Sequence, residues 1–237
     1  MGGTNFKLRK IPSTIQRGRM SNRQQHIFNN EFANYCIDHQ KINKLTKQEV
    51  EHIFPKNTDC NLVVDIGFGN GDQLLSLAEI LPLYNFIGIE LYKKGIANLI
   101  SKIQNKNLEN IKIIYGEAKD VLYNLFDDRS IFKIQIFFPD PWPKLRHHKR
   151  RLINIELINI IQNKLLPNGI LHIATDSDDY ANHIIKTMSH FSQFYRLNDH
   201  NISRPITKFE KIGISLGHNI WDIVFVLQSN IDATKKI

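Results

Sequence analysis

Beyond Cys60 the chain alternates short apolar runs with longer amphipathic stretches, and this alternation restricts its fold more than any other feature. The runs Leu62 to Ile66, Asn85 to Glu90, Ile111 to Tyr115, Ile131 to Phe138 and Gly169 to Thr175 are rich in Ile, Val and Phe and read as buried strands. Between them, Asp72 to Leu81, Lys93 to Gln104, Ala118 to Phe126, Leu152 to Leu165 and Asp178 to Ser189 carry apolar residues at helical spacing. Successive strand, helix and strand close as right-handed crossovers, so the pattern predicts an α/β fold with a mostly parallel sheet and helices on both faces. Leu152, Ile153, Ile155, Leu157, Ile158, Ile160, Ile161 and Leu165 make the fourth helix apolar on more than one face, which predicts that it is largely buried and that Pro167-Asn168-Gly169 stops it. Phe194 to Leu197 and Ile220 to Leu227 have no long helix between them and are expected to pair antiparallel at the sheet edge, giving seven strands in all.

A chain of 237 residues suits one such domain with short appendages. Residues 1–30 hold Lys7, Arg9, Lys10, Arg17, Arg19 and Arg23 among Gly, Asn, Ser and Gln with little to pack, and read as a mobile basic arm or a plain solvated tail. The domain is expected over 31–229, with a tail at 230–237. Thr46-Lys47-Gln48-Glu49 has the form of a capping box ahead of Val50, Ile53 and Phe54, so a short helix should lead into the core. No apolar run approaches the roughly 18 residues of a membrane span, and the basic N-terminus lacks the apolar centre of a secretory signal; a cytoplasmic protein without membrane attachment is expected, as a monomer or homodimer. Cys36 and Cys60 make neither a disulfide framework nor a zinc site, and adjacent His147 and His148 diverge, so no metal is expected. The net charge of +8 draws attention to polyanionic partners where the cations cluster.

The first strand runs into Asp65-Ile66-Gly67-Phe68-Gly69-Asn70-Gly71 with a helical stretch directly after it. Glycines at 67, 69 and 71 allow a sharp turn and a close approach to a ligand at a helix N-terminus. Nicotinamide and flavin enzymes place a glycine loop at the same point, but they must accept a pyrophosphate there, and Asp65 would repel it. A carboxylate instead attracts the ammonium and sulfonium of S-adenosylmethionine. Glu90 ends the second strand, where an acid can accept hydrogen bonds from both ribose hydroxyls. Glu117 follows the third strand at the same edge and either meets an adenine amino group or is a helix N-terminal acid.

The fourth strand hands over to Phe138-Pro139-Asp140-Pro141-Trp142-Pro143-Lys144-Leu145-Arg146-His147-His148-Lys149-Arg150-Arg151. Three alternate prolines forbid helix and ladder pairing, so a stiff loop fixes Asp140 at the strand's carboxyl end. Trp142 either stacks on a base or packs the loop. Lys144, Arg146, Lys149, Arg150 and Arg151 are the densest cationic cluster in the chain and suit phosphate contact. Asp176 ends the fifth strand at the same edge, and Arg204-Pro205-Ile206-Thr207-Lys208-Phe209-Glu210 is a polar loop suited to the rim of a base-binding site.

The segments at 138–151 and 204–210 closely resemble those of the bacterial tRNA (guanine-N7)-methyltransferases. So do the Gly-Phe-Gly loop, Gly88-Ile89-Glu90, Ala174-Thr175-Asp176, Leu216-Gly217-His218, Trp221-Asp222 and Gln16-Arg17-Gly18-Arg19-Met20. Two residues depart from the family pattern: Asp65 stands for the usual Glu and Glu117 for the usual Asp. The resemblance implies a Rossmann-like class I methyltransferase fold and transfer of a methyl group from S-adenosylmethionine to N7 of a guanine in the variable region of tRNA. It also implies donor contacts from Asp65, Gly67, Gly69, Gly71, Glu90, Glu117 and Asp140, a catalytic role for Asp140, and substrate contacts from Lys144, Asp176, Thr207, Lys208, Phe209 and Glu210. A methyltransferase for another RNA and a catalytically silent tRNA-binding subunit are the alternatives.

Overall fold

A computed structural model describes residues 19–37, 44–58, 60–197, 204–206, 210 and 219–229. The strands are β1 (Leu62–Ile66), β2 (Asn85–Glu90), β3 (Ile111–Tyr115), β4 (Ile131–Phe137), β5 (Leu165–Thr175), β6 (Phe194–Leu197) and β7 (Trp221–Leu227). They form one seven-stranded sheet in the order β3-β2-β1-β4-β5-β7-β6. β1 to β5 are mutually parallel, while β7 runs antiparallel to both β5 and β6, as the spacing predicted.

The helices are α1 (Asn22–Asn30), α2 (Phe32–Tyr35), α3 (Lys47–Ile53), α4 (Asp72–Ile80), α5 (Lys93–Lys106), α6 (Ala118–Leu125), α7 (Ile155–Lys164) and α8 (Asp178–Met188). Strand side chains alternate between faces, and the two faces are covered unequally. On one, Val64, Ile87, Ile114, Ile134, Leu171 and Ile223 pack against α3, α6, α7 and α8 across the sheet. On the other, Val63, Phe86, Ile111 and Ile113 pack against α1, α4 and α5 over β1 to β3. A buried polar row crosses that second face among apolar neighbours such as Ala174 and Val224: Asp65 pairs in register with Gln135, and Gln135 with His172.

Three boundaries differ from the sequence reading, each for a local reason. Residues 22–30, read as the end of a mobile arm, form α1, because Ser21 and Gln24 close a full capping box and Ile27 is buried against the body. α7 starts at Ile155 rather than Leu152, since Asn154 accepts the Leu157 N–H at 3.0 Å. That helix is also less buried than predicted: Ile155 is 44% exposed and Asn159 faces solvent. Finally, Pro167-Asn168-Gly169 does not stop the helix but lies inside β5, where a register shift against β4 and a left-handed Asn168 (φ 62°) mark a bulge. Most of the basic arm and the tail at 230–237 lie outside the described residues.

Candidate active site

Parallel strands carry their terminal residues to a common edge. Asp65 is next to last in β1, Glu90 ends β2, Glu117 follows β3 by two residues, Asp140 follows β4 by three, and Asp176 follows β5 directly. Five acids predicted from the sequence thus share the carboxyl edge of the sheet, where open α/β sheets bind ligands. A cavity of about 1010 Å³, lined in part by Phe54, Asn57, Asn107 and Lys112, opens at the other edge and is not used by any of them.

Backbone fixes the second of these acids. Glu90 Oε2 accepts the Gly69 N–H at 2.8 Å, and its Oε1 accepts those of Leu91 and Tyr92 at 2.7 and 3.0 Å. A carboxylate has about four acceptor sites, so capacity remains for hydroxyl donors. Gly67 and Gly69 are left-handed (φ 75° and 57°), and a Cβ on either would meet nothing within 4 Å: the loop turns bare backbone toward open space. Gly71 then caps α4. Behind the loop, Asn98 of α5 donates to Asn70 Oδ1 at 3.0 Å and Lys102 to the Asn70 carbonyl at 2.8 Å, while Gln24 of α1 donates to Asn98 at 2.8 Å.

Asp65 is 3% exposed, and burial pushes its carboxyl up to about 7. Gln135 opposes that shift, the Glu90 carboxylate adds to it, and Lys133 opposes it. Lys133 is itself lowered to about 8 by burial, against the pull of Asp222 and Asp65. Glu117 caps α6, its Oε2 accepting the N–H groups of Lys119 at 3.0 Å and Asp120 at 3.2 Å, so its helix-terminal role is realised at the ligand-binding edge.

Asp140 is exposed, in a loop entered through a left-handed Phe138 (φ 51°) and left through a left-handed Trp142 (φ 46°). A 3-10 turn, Leu145–Arg150, follows, with Lys144, Arg146, Lys149 and Arg150 exposed. Trp142 packs the loop: the Arg150 guanidinium lies 5.0 Å from its ring and His147 meets it edge-on at 5.7 Å. Arg151, counted among the phosphate-binding cations in the sequence reading, is instead buried. Its Nε donates to the Pro141 carbonyl at 2.9 Å, its Nη2 pairs with Asp179, and its guanidinium lies 5.1 Å from the Tyr180 ring.

Of the residues expected to contact the acceptor, Thr207, Lys208 and Phe209 lie outside the described residues. Glu210 is buried and receives two hydrogen bonds from Arg204, at 2.6 and 2.8 Å. Arg204 also donates through Nε to Asp222 at 2.8 Å and lies over the rings of Phe137 and Phe138 at 5.2 and 5.4 Å. The other oxygen of Asp222 pairs with His172. Burial alone would raise the Asp222 carboxyl, but His172 and Arg204 together hold it below its ordinary value. The sequence reading did not single out His172, and it took in Arg204 and Asp222 only as parts of longer segments, without a role of their own. A signal for a polar row beside His172 lies in Lys133-Ile134-Gln135-Ile136, a polar-apolar alternation inside a strand read as buried and rich in Ile and Phe.

Comparison with known proteins shows the family. A family model described as "Putative methyltransferase" matches residues 59–223. The tRNA (guanine-N(7)-)-methyltransferase of Legionella pneumophila (strain Paris) is 37% identical over 96% of this chain and 97% of its own. That of Nitrosococcus oceani is 39% identical over 94% and 93%. The chain belongs to the tRNA (guanine-N7)-methyltransferase family. Its fold is that of the class I methyltransferases: the 16S rRNA methyltransferase KamB superposes with a TM-score of 0.57 at 11% identity, over 82% of this chain and 99% of that one.

For a methyltransferase of this family the donor is S-adenosylmethionine, and the residues present fit it. Bare backbone at Gly67 and Gly69 leaves room for the ligand, Glu90 retains acceptor capacity, and a buried acid stands ready for a cation. Among the described residues no group of three or more His, Cys, Asp or Glu could hold a metal ion, and no helix is long and apolar enough to cross a membrane.

Proposed function

We propose that this protein methylates N7 of a guanine in the variable region of tRNA. The observation that supports it most is the juxtaposition, along one sheet edge, of the buried acid and glycine loop with a proline-stiffened Asp140 and an exposed cationic turn. The donor supplies an electrophilic methyl group on a sulfonium. Asp65, Glu90 and Glu117, with the loop of Gly67, Gly69 and Gly71, hold the donor, and Asp140 borders both ligands.

Guanine N7 carries a lone pair and no proton, so its attack needs no general base. The protein's work is alignment and electrostatics. Asp140 and Asp176, both exposed at the edge, receive the N1–H and 2-amino edge of the base, and their charge offsets the cation that forms on the ring. Lys144, Arg146, Lys149 and Arg150 grip neighbouring phosphates while the target base leaves its stack. Thr207 to Glu210 add contacts to the acceptor RNA.

The test offers purified protein and labelled donor to unmodified tRNA, rRNA and protein in parallel, followed by nucleoside analysis. Label in tRNA recovered as 7-methylguanosine is the expected outcome. Label confined to another acceptor would replace this reading with a different methyltransferase, and tRNA binding with neither donor affinity nor transfer would leave a silent tRNA-binding subunit.

A further inference from the structure

Asp140 lies between two buried arginines, neither of which reaches solvent where RNA would bind. Upstream, Arg204 covers the rings of Phe137 and Phe138, and the Phe138 N–H donates to the Ala174 carbonyl at 2.8 Å. Phe138 is a bulky residue held at φ 51°, a conformation such side chains seldom adopt unless the surroundings enforce it. Only Pro139, whose ring fixes its own φ, separates it from Asp140. Downstream, the Pro141 carbonyl is held at 2.9 Å by Arg151, which Asp179 and Tyr180 of α8 anchor in turn.

The geometry points to Arg151 and Arg204 as a pair of positioning residues that set the place of Asp140 in the reaction proposed above, with Arg204 also tying Glu210 to the same loop. The assignment rests on that reading for the role of Asp140, but the clamp is a property of the loop itself. Each arginine uses what only a guanidinium offers. Arg204 combines a two-pronged bond to Glu210, an Nε bond to Asp222 and a flat face on two phenylalanine rings. Arg151 combines a carbonyl bond, a carboxylate partner and the Tyr180 face. Lysine keeps the charge but neither the fork nor the stacking face. Positioning of this kind is sensitive: a misplacement of about 1 Å at a reacting group can cost on the order of 10²-fold in rate.

The experiment compares Arg151→Lys, Arg204→Lys and Phe138→Leu with the wild-type chain in four measurements: kcat on tRNA, donor Kd, thermal midpoint, and the rate of tryptic cleavage within 144–150. Phe138→Leu removes the ring under Arg204 without touching a charge, and so serves if an arginine variant folds poorly. The clamp predicts kcat lower by about tenfold to hundredfold, donor Kd within about twofold, a midpoint close to wild type, and cleavage of the loop faster by about tenfold. Unchanged kcat and unchanged cleavage would overturn it. So would parallel losses of midpoint, donor affinity and kcat, which would make the arginines general supports of the fold. If the wild-type chain transfers no methyl group to tRNA, the functional reading fails while the cleavage rates still decide whether the clamp exists.

Discussion

At the β2 and β3 end of the carboxyl edge, backbone amides hold the carboxylates of Glu90 and Glu117; after β4, arginine side chains hold the loop, Arg151 through a backbone carbonyl and Arg204 through two rings. Glu90 is fixed by three N–H groups of its own and the neighbouring loop, and Asp65 lies in a strand whose every residue is buried. Asp140, by contrast, stands exposed in a segment with two left-handed non-glycine residues, kept in shape by Arg151 and Arg204. A small donor of constant shape suits the first construction. A large polyanion that arrives with its base still stacked suits the second, where exposed cations sit on a stiff support that can accept it. The two ends should therefore respond to different perturbations.

The largest expected effect is at the junction. Asp140→Ala should lower turnover by on the order of 10²- to 10³-fold, with the circular dichroism spectrum and melting curve unchanged. Retained activity would remove Asp140 from the chemistry and dissolve the distinction between the two ends. Next comes Glu90→Ala, which strips the acceptor from three backbone amides and should weaken donor binding about 100-fold by calorimetry, with tRNA affinity measured separately almost unaffected.

Asp65 gives the donor end a pH signature. With the donor site empty its carboxyl titrates near 7, because burial favours the neutral form, whereas a cationic donor favours the carboxylate. Donor affinity should thus rise by up to about tenfold per pH unit as the pH climbs toward 7, then level off, and Asp65→Asn should be weaker and flat. The folding linkage has the opposite sense. A carboxyl raised from its unfolded value costs nothing while both states are protonated, destabilises the donor-free fold progressively as the pH rises from its ordinary range to about 7, and adds no further cost once both states are ionised. Asp65→Asn should accordingly raise the melting temperature at pH 8 without donor and have little effect at pH 4.

The smallest effects belong to single cations of the turn. Lys144, Arg146, Lys149 or Arg150 changed to Ala should each weaken tRNA binding a few-fold and lower the slope of log affinity against log salt by about 1, with donor Kd unaltered. Arg151→Ala should not alter that slope, since its guanidinium is buried; a loss of slope equal to that of Arg150→Ala would return it to the RNA surface.

This division also explains what could be read from the chain and what could not. The strands of the donor end were legible to the residue, because periodicity and a glycine loop are local signals: β1, β2 and β3 begin and end where the apolar runs do. Asp65, Glu90 and Asp140 were likewise placed by lying at the end of a strand or being fixed by proline. The arginines were not. Arg151 closes a run of cations and looks like its neighbours until α8 supplies Asp179 and Tyr180, and Arg204 owes its role to Phe137, Phe138 and Asp222, far from it in sequence. α1 was missed because its capping box sits in a basic, polar stretch whose single buried residue, Ile27, leaves almost no apolar pattern.

The central claim meets its most direct test in the position of the new methyl group. Unmodified tRNA treated with enzyme and donor, then reduced with borohydride and cleaved with aniline at 7-methylated guanosines, should break at one guanosine of the variable region and nowhere else. Scission at another position, or methyl incorporation with no aniline-labile site, would contradict the account.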